Sequence, residues 1–223
     1  MSGELNIEQN GQRVQGYIAE PEGTPRAGMI VIQEWWGLNE DIRGIADRFA
    51  AEGYLAVAPD LYDGTVSTEP DEALKLAMAL ERDIAGQVVD AAIGWLKAER
   101  GVAKVGCIGF CLGGGLTMAT AMRPTSEVDA VHVFYGGGMP PAEQISAITV
   151  PVMGSYGAED TGIPVDQVET LRTALESRGL PTDVKIYEGA GHSFFNAGPA
   201  HHEPSSLDAW ERSKAWFAEH LAR

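Results

Sequence analysis

Cys111 stands at the centre of Gly109-Phe110-Cys111-Leu112-Gly113, a thiol between two glycines at the end of an apolar run. Val102 to Phe110 reads as a buried strand, and Gly113 to Met122 reads as a helix followed by Pro124. The spacing is that of a G-x-S-x-G nucleophile elbow with cysteine in the place of serine. The central residue of such a turn is strained, and a side chain at either flanking glycine would collide with the adjoining strand or helix. A thiol there stands at the amino end of a helix, where orphan N–H groups and the helix dipole favour a thiolate and, later, an oxyanion. The glycines do not fit the register of a dinucleotide-binding G-x-G-x-x-G turn, and no acidic residue ends the next strand as a ribose ligand. Cys107, inside the strand, is expected to be core packing.

A nucleophile needs a base and a group to orient it. Asp160 follows the apolar stretch Val150 to Tyr156, and His192 lies in Gly189-Ala190-Gly191-His192-Ser193-Phe194 after Asp183 to Tyr187. Glu34 follows the continuous apolar run Gly28 to Gln33. In a parallel sheet all four would reach the edge formed by the carboxyl ends of the strands, where ligands sit. Nucleophile, acid, then histidine is the chain order of α/β-hydrolases. Cys111 would attack a carbonyl carbon, His192 would take and return the proton, and Asp160 would hold the imidazole tautomer. The backbone N–H groups of Leu112 and Trp35 are the expected oxyanion donors. Asp160-Thr161-Gly162 could also be a simple turn. Metal binding is the weaker alternative, because no pair of His or Cys residues has metal-ligand spacing.

The elements that must position these residues alternate between strand and helix. An antiparallel hairpin is expected around Asn10-Gly11, from Leu5 to Gln9 and Arg13 to Ala19. Strand Gly28 to Gln33 leads to a helix from Asn39 to Ala51, capped by Asn39 and closed by Gly53. Strand Tyr54 to Ala58 follows. Glu69 to Ala98 reads as helix, broken near Gly86, with a core-facing stripe of Leu76, Leu80, Ile84, Val88, Ala92 and Leu96. Val128 to Tyr135 is a further strand, Pro164 to Arg178 a helix, and Ser205 to Leu221 a closing amphipathic helix. The pattern predicts one α/β domain of about eight mostly parallel strands flanked by helices.

Composition narrows the partners. The 223 residues carry 32 acidic against 16 basic side chains, a net charge of −16. That balance opposes binding to nucleic acid or an anionic membrane surface. The opening Met1-Ser2-Gly3-Glu4 has neither a basic nor an apolar leader region, and no apolar run reaches membrane-spanning length. Two closely spaced cysteines beside candidate His and Asp partners fit a reducing, cytoplasmic setting. The expected form is a monomer acting on a small molecule.

The sequence resembles the dienelactone hydrolase family of the α/β-hydrolase fold over nearly its whole length. The resemblance is carried by Gln33-Glu34-Trp35-Trp36-Gly37-Leu38-Asn39, Ala58-Pro59-Asp60-Leu61-Tyr62 and Gly109-Phe110-Cys111-Leu112-Gly113-Gly114. It continues in Gly157-Ala158-Glu159-Asp160 and Gly189-Ala190-Gly191-His192-Ser193-Phe194. It implies a Cys-His-Asp triad of Cys111, His192 and Asp160 acting on lactones or esters without metal or cofactor. It also implies that Glu34 keeps the resting thiol uncharged until substrate binds. Family members that cleave dienelactone hold its carboxylate with arginines. Here Phe194-Phe195-Asn196 and the stretch from Leu61 to Pro70 contain no basic residue. Trp35, Trp36, Phe110, Tyr135, Phe194 and Phe195 are therefore expected to line an apolar pocket for a neutral ester or lactone. A non-catalytic small-molecule binding protein and an acyltransferase using the same covalent intermediate are the competing readings.

Overall fold

The computed structural model describes residues 2–222. Strands β1 (Ser2–Gln9) and β2 (Gln12–Ala19) form an antiparallel hairpin. Asn10 and Gly11 both adopt positive φ (53° and 77°), as a two-residue turn of this kind demands. Strands β3 (Ala27–Ile32), β4 (Tyr54–Pro59), β5 (Val105–Phe110), β6 (Ala130–Phe134), β7 (Val152–Gly157) and β8 (Thr182–Tyr187) complete one sheet. Its order is β1-β2-β4-β3-β5-β6-β7-β8. Pairing is parallel from β4 through β8, and β2 joins β4 antiparallel.

Every residue of β3, β4, β5, β6 and β7 is buried. Continuous apolar runs of this kind are what a sheet covered on both faces requires. Neighbouring residues of β5 show the two covers, because successive side chains point to opposite faces. A Cβ at Gly106 would press on Phe217 and Leu221. The Sγ of Cys107 instead lies 3.6 Å from Thr117 Oγ1. Thr117 belongs to α4 (Leu112–Met122), and Phe217 to α7 (Glu203–His220). Helix α1 (Glu40–Ala51) joins α7 through Phe49, whose ring meets those of Trp210 and Phe217. Asn39 caps α1 by accepting the Ile42 N–H at 3.2 Å. The single-turn α5 (Ala142–Ile145) and α6 (Val165–Glu176) occupy the later connections.

Between β6 and α7 a histidine is enclosed. His132 is fully buried, with Nε2 2.9 Å from Ser155 Oγ and Nδ1 2.9 Å from Ser213 Oγ. Burial, aided by the charge of Arg212, holds this imidazole well below its ordinary pKa.

The expected long helix departs from its sequence reading. It is two helices, α2 (Pro70–Ala79) and α3 (Arg82–Ala98), broken at Leu80 and Glu81 rather than near Gly86. Both break residues are extended, with ψ of 116° and 98°. Gly86 lies inside α3, where a Cβ would strike the Arg123 guanidinium at 2.8 Å, so this glycine permits close packing. The predicted core stripe is interrupted at Ile84, which is 45% exposed; Leu80 before it packs partly buried against the core, and Val88, Ala92 and Leu96 after it are buried. Within α2 only Ala73 is buried.

Candidate active site

Cys111 joins the end of β5 to the start of α4 with φ 53° and ψ −112°. That backbone is strained for a residue with a side chain, and its surroundings hold it there. The Cys111 N–H donates to Phe134 O at 3.1 Å, and its carbonyl accepts the Gly115 N–H at 3.1 Å. A Cβ at Gly109 would overlap the Gly113 carbonyl, and one at Gly113 would meet Ile32 O and Gln33 O at 2.5 Å. A Cβ at Gly114 would meet Phe134 O at 2.5 Å. Three glycines thus let the first turn of α4 press against the ends of β3, β5 and β6. Leu112 opens that turn, where an N–H has no intrahelical acceptor.

Asp160 follows β7 and is both turn former and histidine partner. Its Oδ1 accepts the N–H groups of Gly162 (2.8 Å) and Ile163 (3.2 Å). Its Oδ2 lies 2.6 Å from His192 Nδ1. Burial alone would raise the Asp160 pKa, but the hydrogen bond and charge of His192 and the two backbone donors bring it below its ordinary value. The loop bearing His192 folds over the end of β7 because residue 157 is glycine; a Cβ there would overlap the Ala190 carbonyl. Glu159 N–H then donates to Ala190 O at 2.9 Å.

Burial would also lower the pKa of His192, and this is the largest single influence. The hydrogen bond it donates to Asp160, the hydrogen bonding and charge of Cys111, and the charge of Asp160 together outweigh it, pushing the imidazole up to about 10. With Nδ1 committed to Asp160, Nε2 is the ring nitrogen left for chemistry.

Glu34 is 4% exposed in the loop after β3. Its Oε1 accepts the Ser193 hydroxyl at 3.1 Å. Burial raises its pKa above the usual carboxylate range, against the opposing pull of Asn196, Ser193, the charge of His192, and Tyr135. The preceding residue, Gln33, is fully buried and accepts the Leu61 N–H at 3.1 Å, tying the Asp60-Leu61-Tyr62 stretch to the end of β3.

Cys111, His192, Glu34, Trp35 and Trp36 border one cavity of about 640 Å³. Cys111 and His192 also border a second lobe of about 430 Å³, whose wall shares Trp35 with the first and adds Leu112. Four residues expected in the pocket wall, Phe110, Tyr135, Phe194 and Phe195, lie elsewhere. Tyr135 and Phe194 are 0% exposed and Phe195 6%, and all belong to an aromatic floor beneath the site. Tyr135 packs under the His192 ring at 5.1 Å, while Phe195 stacks on Phe110 at 5.4 Å. Phe110 is likewise fully buried. In this protein the paired inward rings of Phe194 and Phe195 support the histidine loop rather than the ligand space.

Several site residues carry no sequence signal. Ser193 and Asn196 are recognisable only by what the loop packs against. Arg82, at the start of α3, borders the smaller lobe and is exposed. It lies outside both Phe194-Phe195-Asn196 and the stretch from Leu61 to Pro70, at the first position of α3 just after the break at Leu80 and Glu81. Among the described residues no group of three or more His, Cys, Asp or Glu side chains could hold a metal ion.

The sequence profile of the dienelactone hydrolase family matches residues 14–221. The chain belongs to that family. It is 37% identical over 230 residues to Protein usf of Aquifex pyrophilus, covering 97% of this chain and 98% of the relative. A provisionally named carboxymethylenebutenolidase of Escherichia coli K12 is 31% identical over 239 residues, covering 99% of this chain and 88% of its own. Among solved structures, a provisionally named dienelactone hydrolase from Klebsiella pneumoniae superposes with a TM-score of 0.86 at 32% identity, covering 98% of each chain. This dienelactone hydrolase-family chain therefore shares both the fold and the hydrolase class of its relatives.

Proposed function

We propose that the chain hydrolyses small neutral carboxylic esters or lactones through an acyl-enzyme on Cys111. One observation carries the reading. The imidazole of His192 is fixed by Asp160 at 2.6 Å on one nitrogen, and the Cys111 thiol acts on the same ring from the shared cavity. A ligand-binding protein has no need of a base with its own orienter.

The thiol proton passes to His192 Nε2, whose proton affinity Asp160 and the resulting thiolate raise, and the charged Cys111 Sγ then attacks the carbonyl carbon and forms a C–S bond. The carbonyl oxygen becomes an oxyanion facing the N–H groups of Leu112 and Trp35. Collapse breaks the C–O bond, and His192 Nε2 returns the proton to the leaving alkoxide. Water then attacks the thioester, gives a proton to His192, and the C–S bond breaks to release the acid and restore the thiol. Asp160 stabilises the imidazolium in both halves. Glu34 opposes charge on the resting sulfur, which protects it from oxidation.

The charged side chains bordering the larger cavity, apart from His192, are Glu34 and Asp41. That supports a neutral substrate group in the larger cavity, where an anion would lose water without gaining a cation, while Arg82 borders the smaller lobe. A carboxymethylenebutenolidase-type lactone opening is the same chemistry on a cyclic ester. No step calls on a second copy, so the reading takes a monomer; a working thiol fits a reducing cytoplasm. No helix of the described residues is long and apolar enough to cross a membrane.

The test is hydrolysis of aryl butyrates by wild type, Cys111→Ala and His192→Gln, with mass spectrometry of quenched reactions. A loss of about 10³-fold or more in kcat/KM and an acyl adduct on Cys111 are expected. Wild-type rates in both folded variants sink the reading. Product partitioning toward an added alcohol would move the assignment to acyl transfer.

A further inference from the structure

Glu40 and Asp41 both lie in the first turn of α1. An acidic side chain there favours the positive end of the helix dipole, a role that the exposed Glu40 already fills. Asp41 differs in its surroundings. It is half-buried in the wall of the larger cavity, and burial raises its pKa above the ordinary value. Among the described residues its carboxyl has no hydrogen-bond or ion-pair partner, yet neither oxygen is sealed from solvent. A half-buried carboxylate without a partner is a costly arrangement that a ligand can relieve.

The same wall presents two indoles. Trp35 and Trp36 are half-buried, meet edge to face with ring centroids 4.9 Å apart, and both border the cavity. The other charged side chains on its border are already engaged: His192 with Asp160 at 2.6 Å, and Glu34 with the Ser193 hydroxyl. Among the described residues no lysine or arginine borders it. Exclusion of an anion leaves an uncharged group or a cation. An alkyl group would cover Asp41 and deepen its desolvation. A hydroxyl would serve Asp41 and gain nothing particular from the indoles. An alkylammonium ion meets both features, with charge for the carboxylate and cation–π attraction for the rings.

We propose that Asp41 and Trp36 form a specificity subsite of the larger cavity that holds an alkylammonium group of the substrate. The proposal deepens the hydrolase reading and rests on it. Uncharged esters remain substrates, and those carrying a cation are preferred over isosteres of the same shape.

The test compares kcat/KM, by pH-stat near neutral pH, within two isosteric pairs. Butyrylcholine is set against 3,3-dimethylbutyl butyrate, and ethyl 4-(trimethylammonio)butyrate against ethyl 5,5-dimethylhexanoate. Each pair exchanges a quaternary nitrogen for carbon, on the alcohol side in the first and the acyl side in the second. Wild type is expected to favour the cationic member of at least one pair by about tenfold. That ratio is expected to shrink about twofold or more between roughly 0.05 and 0.5 M NaCl, because part of it is Coulombic. In Asp41→Asn, Asp41→Ser and Trp36→Leu, checked for folding by thermal melting, it is expected to fall about threefold or more. Turnover of aryl butyrates or of the uncharged members, with no cation preference in either pair, overturns this proposal alone. So does a preference that persists in a folded variant or is indifferent to salt. No turnover of any ester by wild type overturns the hydrolase reading and this proposal with it.

Discussion

Ser193 donates its hydroxyl to Glu34 Oε1 at 3.1 Å, joining the loop after β8 to the loop after β3 across the mouth of the sheet. Ser193 adopts a positive φ of 60° to do so. The residue next to the proposed base is thereby held by the carboxyl that shares its cavity. The position of the imidazole and the state of that carboxyl are coupled.

Glu34→Gln keeps an acceptor for Ser193 and removes the charge. A negative group in the same cavity opposes charge developing on sulfur. Iodoacetamide is therefore expected to alkylate Cys111 roughly 3–10-fold faster in the variant at pH 7. An unchanged or slower rate would remove Glu34 from its protective role.

The pH dependence of His192 has a definite sign. Its folded pKa, about 10, lies above the 6.5 of an unperturbed histidine. The stabilisation it provides is complete below that unperturbed value and is lost as pH rises toward 10. The melting temperature of wild type, relative to His192→Gln, should fall between pH 7 and pH 10. A difference that stays flat across this window contradicts the ion-pair assignment.

Asp160→Asn retains a carbonyl that can accept from Gly162 and Ile163 but loses the charge facing the imidazole. Turnover should drop by roughly 10³–10⁴-fold. The His192 ring, followed by NMR, should titrate at lower pH than in wild type. A ring that titrates unchanged would show that Cys111 alone sets its proton affinity.

Gly113→Ala introduces a methyl group where the Ile32 and Gln33 carbonyls lie 2.5 Å away. Both are backbone and cannot swing aside, so roughly 3 kcal/mol or more of stability should be lost. For a domain of this size that is about 6–12 °C in Tm. Calorimetry showing a shift below 2 °C would mean that α4 does not press on β3 as described.

His132 supplies the opposite pH sign. Its folded pKa is depressed, so the charged form is disfavoured inside the core. The stability associated with a neutral ring is present above the unperturbed value of 6.5 and lost as pH falls below it. Wild type should lose more melting temperature between pH 7 and pH 5 than His132→Gln does. Parallel curves for the two proteins would refute this.

Legibility in the sequence followed the range of the physical cause. The elbow could be read because its glycines answer a steric demand only four residues wide. The meeting of Cys111, Asp160 and His192 at one edge followed from strand alternation and chain order. The break between α2 and α3 could not be read, since Leu80 and Glu81 are ordinary helix formers and the apolar periodicity runs straight through them. Tyr135, Phe194 and Phe195 were misplaced because an aromatic residue near a site looks the same in sequence whether it forms a wall or a floor. Arg82 and Asn196 gained their positions from packing between distant segments, for which no local pattern exists.

Helix α2 has one buried residue among ten, and it leaves Leu74 48% and Met78 78% exposed. Yet its Ala77 supplies part of the wall of the smaller lobe. Amide hydrogens there should exchange ahead of those in the central strands. The scaffold that aligns sulfur, imidazole and carboxylate is therefore independent of the segment that shapes one side of the ligand space. Substitutions in α2 can remodel that side at little cost to folding, leaving this helix free to diverge while the sheet edge stays fixed.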